Sequence, residues 1–311
     1  MNVVLFAWCA SSIAYAEALV AAGAPPRLVV TGARCSAAAP LAEACARLGL
    51  ALERRDEVND AGFVARLREL PLDLLLVAGC ARVLGPALLA APRLGALNFH
   101  PSRLPRYRGK EPLFWALLHG EPSVAISVHH LVAELDAGPL LFQRDVLVPP
   151  RATSASLAAM VDAEGAALVP EILALAAAGP LPPGRDPGGP GSHFPPLRPE
   201  HGLLDFTRSA VELDRLVRAC QGEIPAACFF QGLRLLVLEA EPAPSTSGSI
   251  VPGEVTRVND GGIWVMTSSG VLCLRRFLFL DRPHDARALA ALLGLAPGQR
   301  FTHNPAFGLP G

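Results

Sequence analysis

The stretches Val3-Val4-Leu5-Phe6-Ala7 and Leu74-Leu75-Leu76-Val77-Ala78 decide the fold of this chain. Both are apolar at every position, and a strand of this kind needs cover on both faces, as in a parallel sheet between two layers of helices. Helical patterns alternate with the strand patterns, which predicts a doubly wound, Rossmann-like α/β domain. The predicted strands are residues 2–7, 27–31, 72–78, 95–100, 123–131 and 140–148, and the predicted helices are 11–22, 37–48 and 60–70.

The second part of the chain follows a segment rich in Pro and Gly. Residues 154–178 are predicted to form one long helix, and residues 179–202 form a linker, because Gly and Pro interrupt helices and central strands. A helix and five short strands follow, a pattern that favours an OB-like β-barrel. They are placed at residues 209–221, 226–230, 233–240, 253–258, 262–267 and 271–280. The predicted domains are therefore a catalytic domain at 1–178, the linker at 179–202, and an OB-like domain at 203–311.

Composition and charge exclude several classes of protein. The chain has no uninterrupted apolar run of roughly 18 residues, so no membrane span is expected, and no signal peptide is recognised, which predicts a cytoplasmic protein. Its net charge of −1 offers no general excess of basic residues for gripping a nucleic acid. The seven cysteines contain no Cys-x-x-Cys pair, so neither a metal site nor a disulfide framework is expected.

The turn after the first strand, residues 6–12, contains no glycine. A dinucleotide-binding Rossmann domain carries Gly-x-Gly-x-x-Gly at this turn, where the missing side chains allow the backbone to approach the pyrophosphate. The chain also contains no Gly-Lys-Ser or Gly-Lys-Thr sequence, so it has no P-loop. The most common ligands of this fold class are therefore excluded.

Asn98 and His100 lie two residues apart on a predicted strand, so their side chains leave the same face of the sheet. They are at the carboxyl end of the strand, where doubly wound domains bind their ligands. An amide beside an imidazole can stabilise a developing oxyanion, and the imidazole can also pass a proton. Asp136, on a turn after another strand, would orient the ring of His100. Taken singly, each of these residues is more often structural, so the pattern alone leaves both interpretations open.

A longer motif surrounds these residues: Asn98-Phe99-His100, Ser102, Leu104-Pro105, Tyr107-Arg108-Gly109, Pro112 and Leu135-Asp136-Ala137-Gly138-Pro139. It resembles the signature of the 10-formyltetrahydrofolate-dependent formyltransferase family, which includes methionyl-tRNA and nucleotide-sugar formyltransferases. The resemblance covers nearly the whole chain apart from the linker. It implies transfer of a formyl group from 10-formyltetrahydrofolate, as co-substrate, to a primary amine. It also implies that Asn98, His100 and Asp136 are the catalytic residues and that no metal takes part.

The same resemblance implies where the two substrates bind. The folate is expected between the loop after the strand at 72–78 and the turn before Asp136, in contact with Arg82, Val83, Leu84, Leu131 and Leu135. The acceptor is expected to contact a second group of residues, each of which also has an ordinary structural interpretation. These are Ser102, Arg108, Lys110 and His129.

The family's branches differ in the amine that they formylate. The glycinamide ribonucleotide branch generally lacks a C-terminal barrel, and the tRNA branch usually carries a basic insertion and a basic barrel. The segment that corresponds to the basic insertion, residues 31–37, is short and nearly uncharged in this chain. Residues 201–311, which correspond to the barrel, contain ten arginines and ten acidic residues. Because a surface that binds phosphates needs excess positive charge, this composition disfavours the tRNA branch. The run from Tyr107 to Trp115, His129 and the order of the domains resemble the nucleotide-sugar branch, which implies an amino-sugar nucleotide as the acceptor.

Several alternatives stay open at this stage. Methionyl-tRNA, or the amine of an amino acid or peptide, can replace the amino-sugar nucleotide as acceptor. The chain can also be a relative that binds without catalysing, or a formyl hydrolase, although the retained Asn98, His100 and Asp136 speak against a binding-only protein. A homodimer stays among the possible assemblies.

Overall fold

The structure is a computed structural model that describes residues 1–33, 35, 38–244 and 251–302. The chain forms two compact units. The first comprises residues 1–112, 122–148 and 157–194, and the second comprises residues 113–121, 149–156 and the chain from 195 onward. The predicted domain limits at 178 and 202 stay predictions. Of the nearly uncharged segment at 31–37, residues 34, 36 and 37 lie outside the described part, and with them the first residue of the helix predicted at 37–48.

A seven-stranded sheet forms the centre of the first unit, in the order β3-β2-β1-β4-β5-β7-β8. The first five strands in this order are parallel, and β7 and β8 form an antiparallel extension beside β5. The Rossmann-like prediction is thus confirmed. The strands up to residue 194 are β1 (Val3–Ala7), β2 (Leu28–Thr31), β3 (Leu52–Arg54), β4 (Leu74–Ala78), β5 (Ala96–His100), β6 (Arg108–Gly109), β7 (Ser123–His130), β8 (Leu140–Leu147) and β9 (His193–Phe194).

Helices accompany these strands along the chain. They are α1 (Ile13–Ala21), α2 (Ala38–Leu48), α3 (Ala61–Glu69), α4 (Pro86–Leu89), α5 (Pro112–His119), α6 (Ser154–Ala167) and α7 (Val169–Ala178), with a short 3-10 turn at Ala10–Ser12. The two sequences that decided the fold, β1 and β4, are adjacent in the sheet, and every residue in them is buried. Their apolar side chains form the core on both faces of the sheet.

The long helix predicted at 154–178 is wrong in one respect, because it is two helices that meet at Leu168. Pro170 lies in the first turn of α7, where its missing N–H is not needed, whereas inside a continuous helix it would remove one hydrogen bond and clash with the preceding turn. The Leu168 N–H donates to the carbonyl of Gly165, a tighter bond than an α-helix makes.

The second unit contains an antiparallel six-stranded sheet in the order β10-β11-β14-β13-β12, with β15 paired to β14. The C-terminal β domain, which was predicted as an OB-like barrel of five strands, is thus found as an antiparallel sheet of six strands. Its elements are α8 (Ala210–Ala219), β10 (Ala226–Phe230), β11 (Leu233–Ala243), β12 (Val255–Asn259), β13 (Gly262–Met266), β14 (Val271–Phe279), β15 (Arg282–Asp285) and α9 (Ala286–Leu293). A capping box between Ser209 and Glu212 begins α8, which explains why this helix was predictable from sequence.

The predicted linker contains more structure than its composition suggested. It includes strand β9, which pairs in parallel with β6, and a 3-10 turn at Pro199–Gly202. Arg185 also exchanges two backbone hydrogen bonds with Leu140 on β8. No helix within the described ranges is long and apolar enough to span a membrane.

Candidate active site

The candidate site is built on β5, whose carboxyl end carries Asn98 and His100 on one face. The antiparallel neighbour β7 places His129 directly opposite Asn98 and Ser127 opposite His100. Because side chains alternate along a strand, all four point to the same side of the sheet. The predicted pairing of Asn98 with His100 is therefore found, and β7 adds a second pair to it.

Asp136 lies beside this group on the connection between β7 and β8. Its backbone has a φ of 50°, a left-handed conformation that Asp tolerates better than most residues. Its carboxylate is 6% exposed, with Oδ2 accepting a hydrogen bond from the Gly109 N–H at 2.9 Å. Its Oδ1 lies 3.6 Å from His100 Nδ1 and 3.5 Å from Asn98 Nδ2. The three residues singled out by sequence thus share one cluster.

Glycine is required two residues after Asp136. A Cβ at Gly138 would lie 1.7 Å from the carbonyl oxygen of His130, so no side chain fits. The close approach lets the chain turn back beside β7, where the His130 N–H donates to the Pro139 carbonyl. The Asp-Ala-Gly sequence is therefore both a turn and the support that brings Asp136 to β5.

The ring of His100 has its orientation set by backbone. Its Nε2 lies 2.9 Å from the carbonyl oxygen of Tyr107, and a carbonyl can only accept, so Nε2 carries a hydrogen. The opposite nitrogen, Nδ1, faces Asp136 at 3.6 Å. Nδ1 is therefore the nitrogen of His100 that faces the other side chains of the site.

His129 was predicted to contact the acceptor, but its side chain is fully buried. Its Nδ1 lies 2.9 Å from the carbonyl oxygen of His130 and must donate, which leaves Nε2 to accept from Asn98 Nδ2 at 3.1 Å. Burial, with a smaller contribution from nearby His100, lowers the pKa of His129 to about 4. A neutral His129 therefore fixes the direction of the Asn98 amide.

Ser102, a further predicted acceptor contact, is also buried. Its hydroxyl donates to the Arg106 carbonyl at 2.9 Å, and its own carbonyl accepts from the Ser127 hydroxyl. Gln143 on β8 donates to the Ser127 hydroxyl and to the Leu104 carbonyl, both at 3.0 Å. These contacts brace the loop that follows His100. Sequence reasoning did not find Ser127 or Gln143, and the only available signal was the two-residue spacing between Ser127 and His129.

Arg108 and Lys110 lie on the same loop and are partly accessible. One terminal nitrogen of Arg108 lies 3.6 Å from the Glu134 carboxylate, and its buried Nε has no hydrogen-bond partner among the described residues. Lys110 Nζ donates to the Ala81 carbonyl at 3.4 Å, on the loop after β4. Both cations are thus next to the segments predicted to hold the folate, and their roles toward substrate stay predictions.

The residues predicted to contact folate fall into two groups. Val83 and Leu135 are 63% and 46% exposed, and Arg82 is also exposed, with a terminal nitrogen 3.9 Å from Asp56. Leu84, in contrast, is 6% exposed and belongs to the core, and Leu131 packs against the same cluster. The side chain of Leu84 is therefore packed in the core, and its contact with folate stays a prediction. Across the described residues, no group of three His, Cys, Asp or Glu side chains is arranged to hold a metal ion.

Comparisons with known proteins show which family this chain is similar to. A family model described as formyl transferase matches residues 16–173, and one described as formyl transferase, C-terminal domain, matches residues 196–287. A methionyl-tRNA formyltransferase of Thermus thermophilus is 34% identical over 270 residues, which cover 85% of both chains. That of Roseiflexus sp. strain RS-1 is 32% identical over 241 residues, covering 78% of this chain and 74% of that protein.

A solved structure adds support for the fold. A HypX variant from Aquifex aeolicus superposes with a TM-score of 0.68 at 18% identity, covering 96% of this chain and 48% of that chain. This chain spans about half the length of that protein, and a likeness at this identity concerns architecture alone.

The family models that match residues 16–173 and 196–287 assign this Rossmann-like sheet and the antiparallel domain that follows it to a class of enzymes that transfer one-carbon groups. The chain belongs to the formyltransferase family, whose members are folate-dependent. The curated relatives agree better with the methionyl-tRNA alternative than with the expected amino-sugar nucleotide.

Proposed function

We propose that this chain transfers the formyl group of 10-formyltetrahydrofolate to the α-amino group of methionyl-tRNA. The observation that supports this acceptor is the 34% identity to a methionyl-tRNA formyltransferase, which extends over 85% of both chains and so includes both units. When bound, the co-substrate supplies the formyl carbon that the amine attacks. The residues of this chain bind the substrates, stabilise charge and move a proton.

Asn98 is proposed to donate a hydrogen bond to the formyl oxygen, where negative charge develops during the attack. One amide hydrogen is held by His129 Nε2 at 3.1 Å. The other points toward Asp136 Oδ1 at 3.5 Å, a long contact that a closer oxygen can replace. A donor that is already oriented stabilises the transition state without a cost of reorganisation.

His100 and Asp136 are proposed to carry the proton that the attacking amine loses. The two groups face each other through Nδ1 and Oδ1 at 3.6 Å, and the Gly109 N–H holds the other carboxylate oxygen. A proton that either group takes from the amine is stabilised by its partner and can then be delivered to the nitrogen that leaves the formyl carbon. The bond to the amine forms, the bond to the leaving nitrogen breaks, and the proton moves from one nitrogen to the other.

The loops around this cluster suit a flat, partly apolar co-substrate. Three large apolar side chains on the two predicted folate segments are exposed, namely Val83 at 63%, Val132 at 41% and Leu135 at 46%. Exposed apolar groups concentrated beside a polar cluster are characteristic of ligand sites. Val83 and Leu135 are proposed to cover the pteridine ring, with Arg82, Leu84 and Leu131 contributing backbone or edge contacts.

An amino-sugar nucleotide is the second candidate, and one specific observation favours it. Residues 201–311 contain ten arginines and ten acidic residues, so the C-terminal part has no net positive charge to attract a large RNA. A nucleotide sugar presents far fewer phosphates than a tRNA and needs fewer cations, and Arg108 and Lys110 are proposed to contact them. A cytoplasmic location and a homodimer likewise stay proposals.

An acceptor panel distinguishes these proposals. The purified chain is incubated with 10-formyltetrahydrofolate and, separately, with methionyl initiator tRNA, an amino-sugar nucleotide and free amino acids. We expect formyl transfer to the tRNA at the highest kcat/KM, and no transfer by Asp136→Asn. Preferred transfer to the amino sugar would overturn the acceptor proposal, and release of formate without any acceptor would identify a hydrolase.

A further inference from the structure

The segment predicted as a linker contacts the loop that holds His100 and Asp136. We call residues 182–194 the strap. Its strand β9 pairs in parallel with β6, with His193 opposite Arg108 and Phe194 opposite Gly109. The Arg108 N–H donates to the Ser192 carbonyl at 2.8 Å, and the Lys110 N–H donates to the Phe194 carbonyl at 3.3 Å. These bonds use the loop's backbone groups on the side away from the candidate catalytic residues.

The intervening backbone groups of the loop point the other way. The Tyr107 carbonyl meets His100 Nε2, and the Gly109 N–H meets Asp136 Oδ2, each at 2.9 Å. The Tyr107 carbonyl and the Arg108 N–H belong to one trans peptide group, so they point in opposite directions. The Gly109 N–H lies between the N–H groups of Arg108 and Lys110, which both bond to the strap, and it points to the other side of the short strand β6. The hydrogen bonds that tie Arg108 and Lys110 to the strap therefore turn the Tyr107 carbonyl and the Gly109 N–H toward the site.

Two side chains of the strap add to this hold on the loop. The Ser192 hydroxyl accepts from the Tyr107 N–H at 2.8 Å. The ring of Phe194 stacks on that of Tyr107, with ring centroids 5.2 Å apart and an interplanar angle of 13°. Tyr107 itself has a φ of 58°, an uncommon conformation for an aromatic residue, so it needs contacts that hold it.

Gly109 shows how closely the strap approaches. Its φ is 94°, and a Cβ there would lie 2.4 Å from the Phe194 carbonyl oxygen and 3.0 Å from His193 Nε2. The strap also contacts the hairpin formed by β7 and β8, whose connection carries Asp136. His130 Nε2 lies 2.8 Å from the Pro182 carbonyl, and Arg185 pairs with Leu140. One stretch of chain thus bridges the loop after β5 and the hairpin that carries Asp136.

We propose that Ser192 and Phe194 are positioning residues, which act through Tyr107 and Gly109 to hold His100 and Asp136 in their reactive arrangement. The proposal rests on the proposed catalytic roles of those two residues. It assigns a place in the active-site frame to a segment whose composition indicates only a connection between domains.

Kinetics with 10-formyltetrahydrofolate and the best acceptor tests this proposal. We expect Ser192→Ala to lower kcat about tenfold and Phe194→Ala about a hundredfold, the loss typical of a reacting group displaced by about 1 Å. The KM for folate should change less than about threefold. Ser192→Thr retains the hydroxyl and should restore kcat to within about twofold. Asp186→Ala is the matched control, since Asp186 bonds to Gly188 within the strap.

A second readout separates positioning from simple loss of folding. In protein with 15N-labelled histidine, the ring signals of His100, identified by their loss in His100→Asn, should shift in Ser192→Ala and stay unchanged in Asp186→Ala. Wild-type kcat and unchanged His100 signals in both Ser192→Ala and Phe194→Ala would overturn the proposal. If the wild type transfers no formyl group to any acceptor, the proposed function is wrong. The His100 signals alone then test whether the strap positions the His100 ring.

Discussion

At the scale of single residues, three side chains surround one carboxylate oxygen, Asp136 Oδ1. It lies 3.5 Å from Asn98 Nδ2, 3.6 Å from His100 Nδ1 and 3.8 Å from His129 Nε2. None of these is a short hydrogen bond, and catalytic contacts are often long until substrate binds. The arrangement leaves Asn98 and His100 able to exchange Asp136 for a reacting atom after a small movement.

Asn98→Ala tests the oxyanion role directly. We expect kcat to fall about 10²–10³-fold, the usual effect of removing one oriented donor, while the protein stays folded. Asn2→Ala is the control, because Asn2 bonds to Pro71 and Arg27 at the start of β1. A kcat for Asn98→Ala within about twofold of the wild type would remove Asn98 from the mechanism.

His129 makes stability depend on pH. Its folded-state pKa of about 4 is below the ordinary value of 6.5, so between these pH values the unfolded chain binds a proton that the folded chain does not. Protonation of His129 in the unfolded chain therefore does not reduce the free energy of unfolding above pH 6.5. As the pH falls from 6.5 toward 4, this protonation lowers the free energy of unfolding by about 3 kcal/mol, at roughly 1.36 kcal/mol per pKa unit.

His129→Gln offers an uncharged side chain that can still accept from Asn98. Urea unfolding at about pH 7 and about pH 4.5 should show a smaller loss of unfolding free energy for this variant than for the wild type. An equal loss in both proteins would mean that His129 does not titrate in this range.

At the scale of elements, α8 is anchored by an ion-pair network around the buried Asp214 carboxylate within the second unit. The Asp214 side chain is 6% exposed and accepts from Arg151 at 2.8 Å and from Arg218 at 2.9 Å. The two arginines also donate to the Ala240 and Ala152 carbonyls, which connects α8 to β11 and to the segment before α6.

Asp214→Ala should therefore lower the free energy of unfolding by about 3–5 kcal/mol, because it leaves the Arg218 guanidinium, only 12% exposed, without its counter-charge. Asp260→Ala is the matched control, since the pair between Asp260 and Arg287 is exposed and should contribute about 0–1 kcal/mol. Chemical denaturation followed by tryptophan fluorescence measures the free energy of unfolding of both variants. Equal losses in the two variants would show that the network around Asp214 adds nothing beyond a surface pair.

At the scale of the whole molecule, charge sets how a nucleic acid can bind. The chain has a net charge of −1 and a balanced C-terminal part, so contacts with tRNA phosphates should be few. We expect log KM for methionyl-tRNA to rise with log salt concentration with a slope of about 3 or less, since each neutralised phosphate contributes nearly one. A slope of about 6 or more, from formylation rates at roughly 50–200 mM salt, would show a basic surface that the total charge conceals.

Much of the fold follows from local sequence. The apolar runs of β1 and β4 require a sheet covered on both faces, and the spacing of Asn98 and His100 places both at one strand end, because strand geometry alternates every two residues. Pro170 was also a local signal for the break between α6 and α7, although the predicted helix ran through it. Short elements such as β3, β6 and β9 were missed, since two or three residues carry too weak a pattern.

The sequence by itself determined the fold class and, through the family motif, the group of Asn98, His100 and Asp136. Only the tertiary structure decided what holds that group. It buried His129 against Asn98, whose amide donates to His129 Nε2. It also placed Ser192 and Phe194 against Tyr107, although Ser192 and Tyr107 are 85 residues apart in the chain. The physical reason is that burial, hydrogen-bond direction and pKa depend on neighbours distant in the chain, and local periodicity contains no information about them.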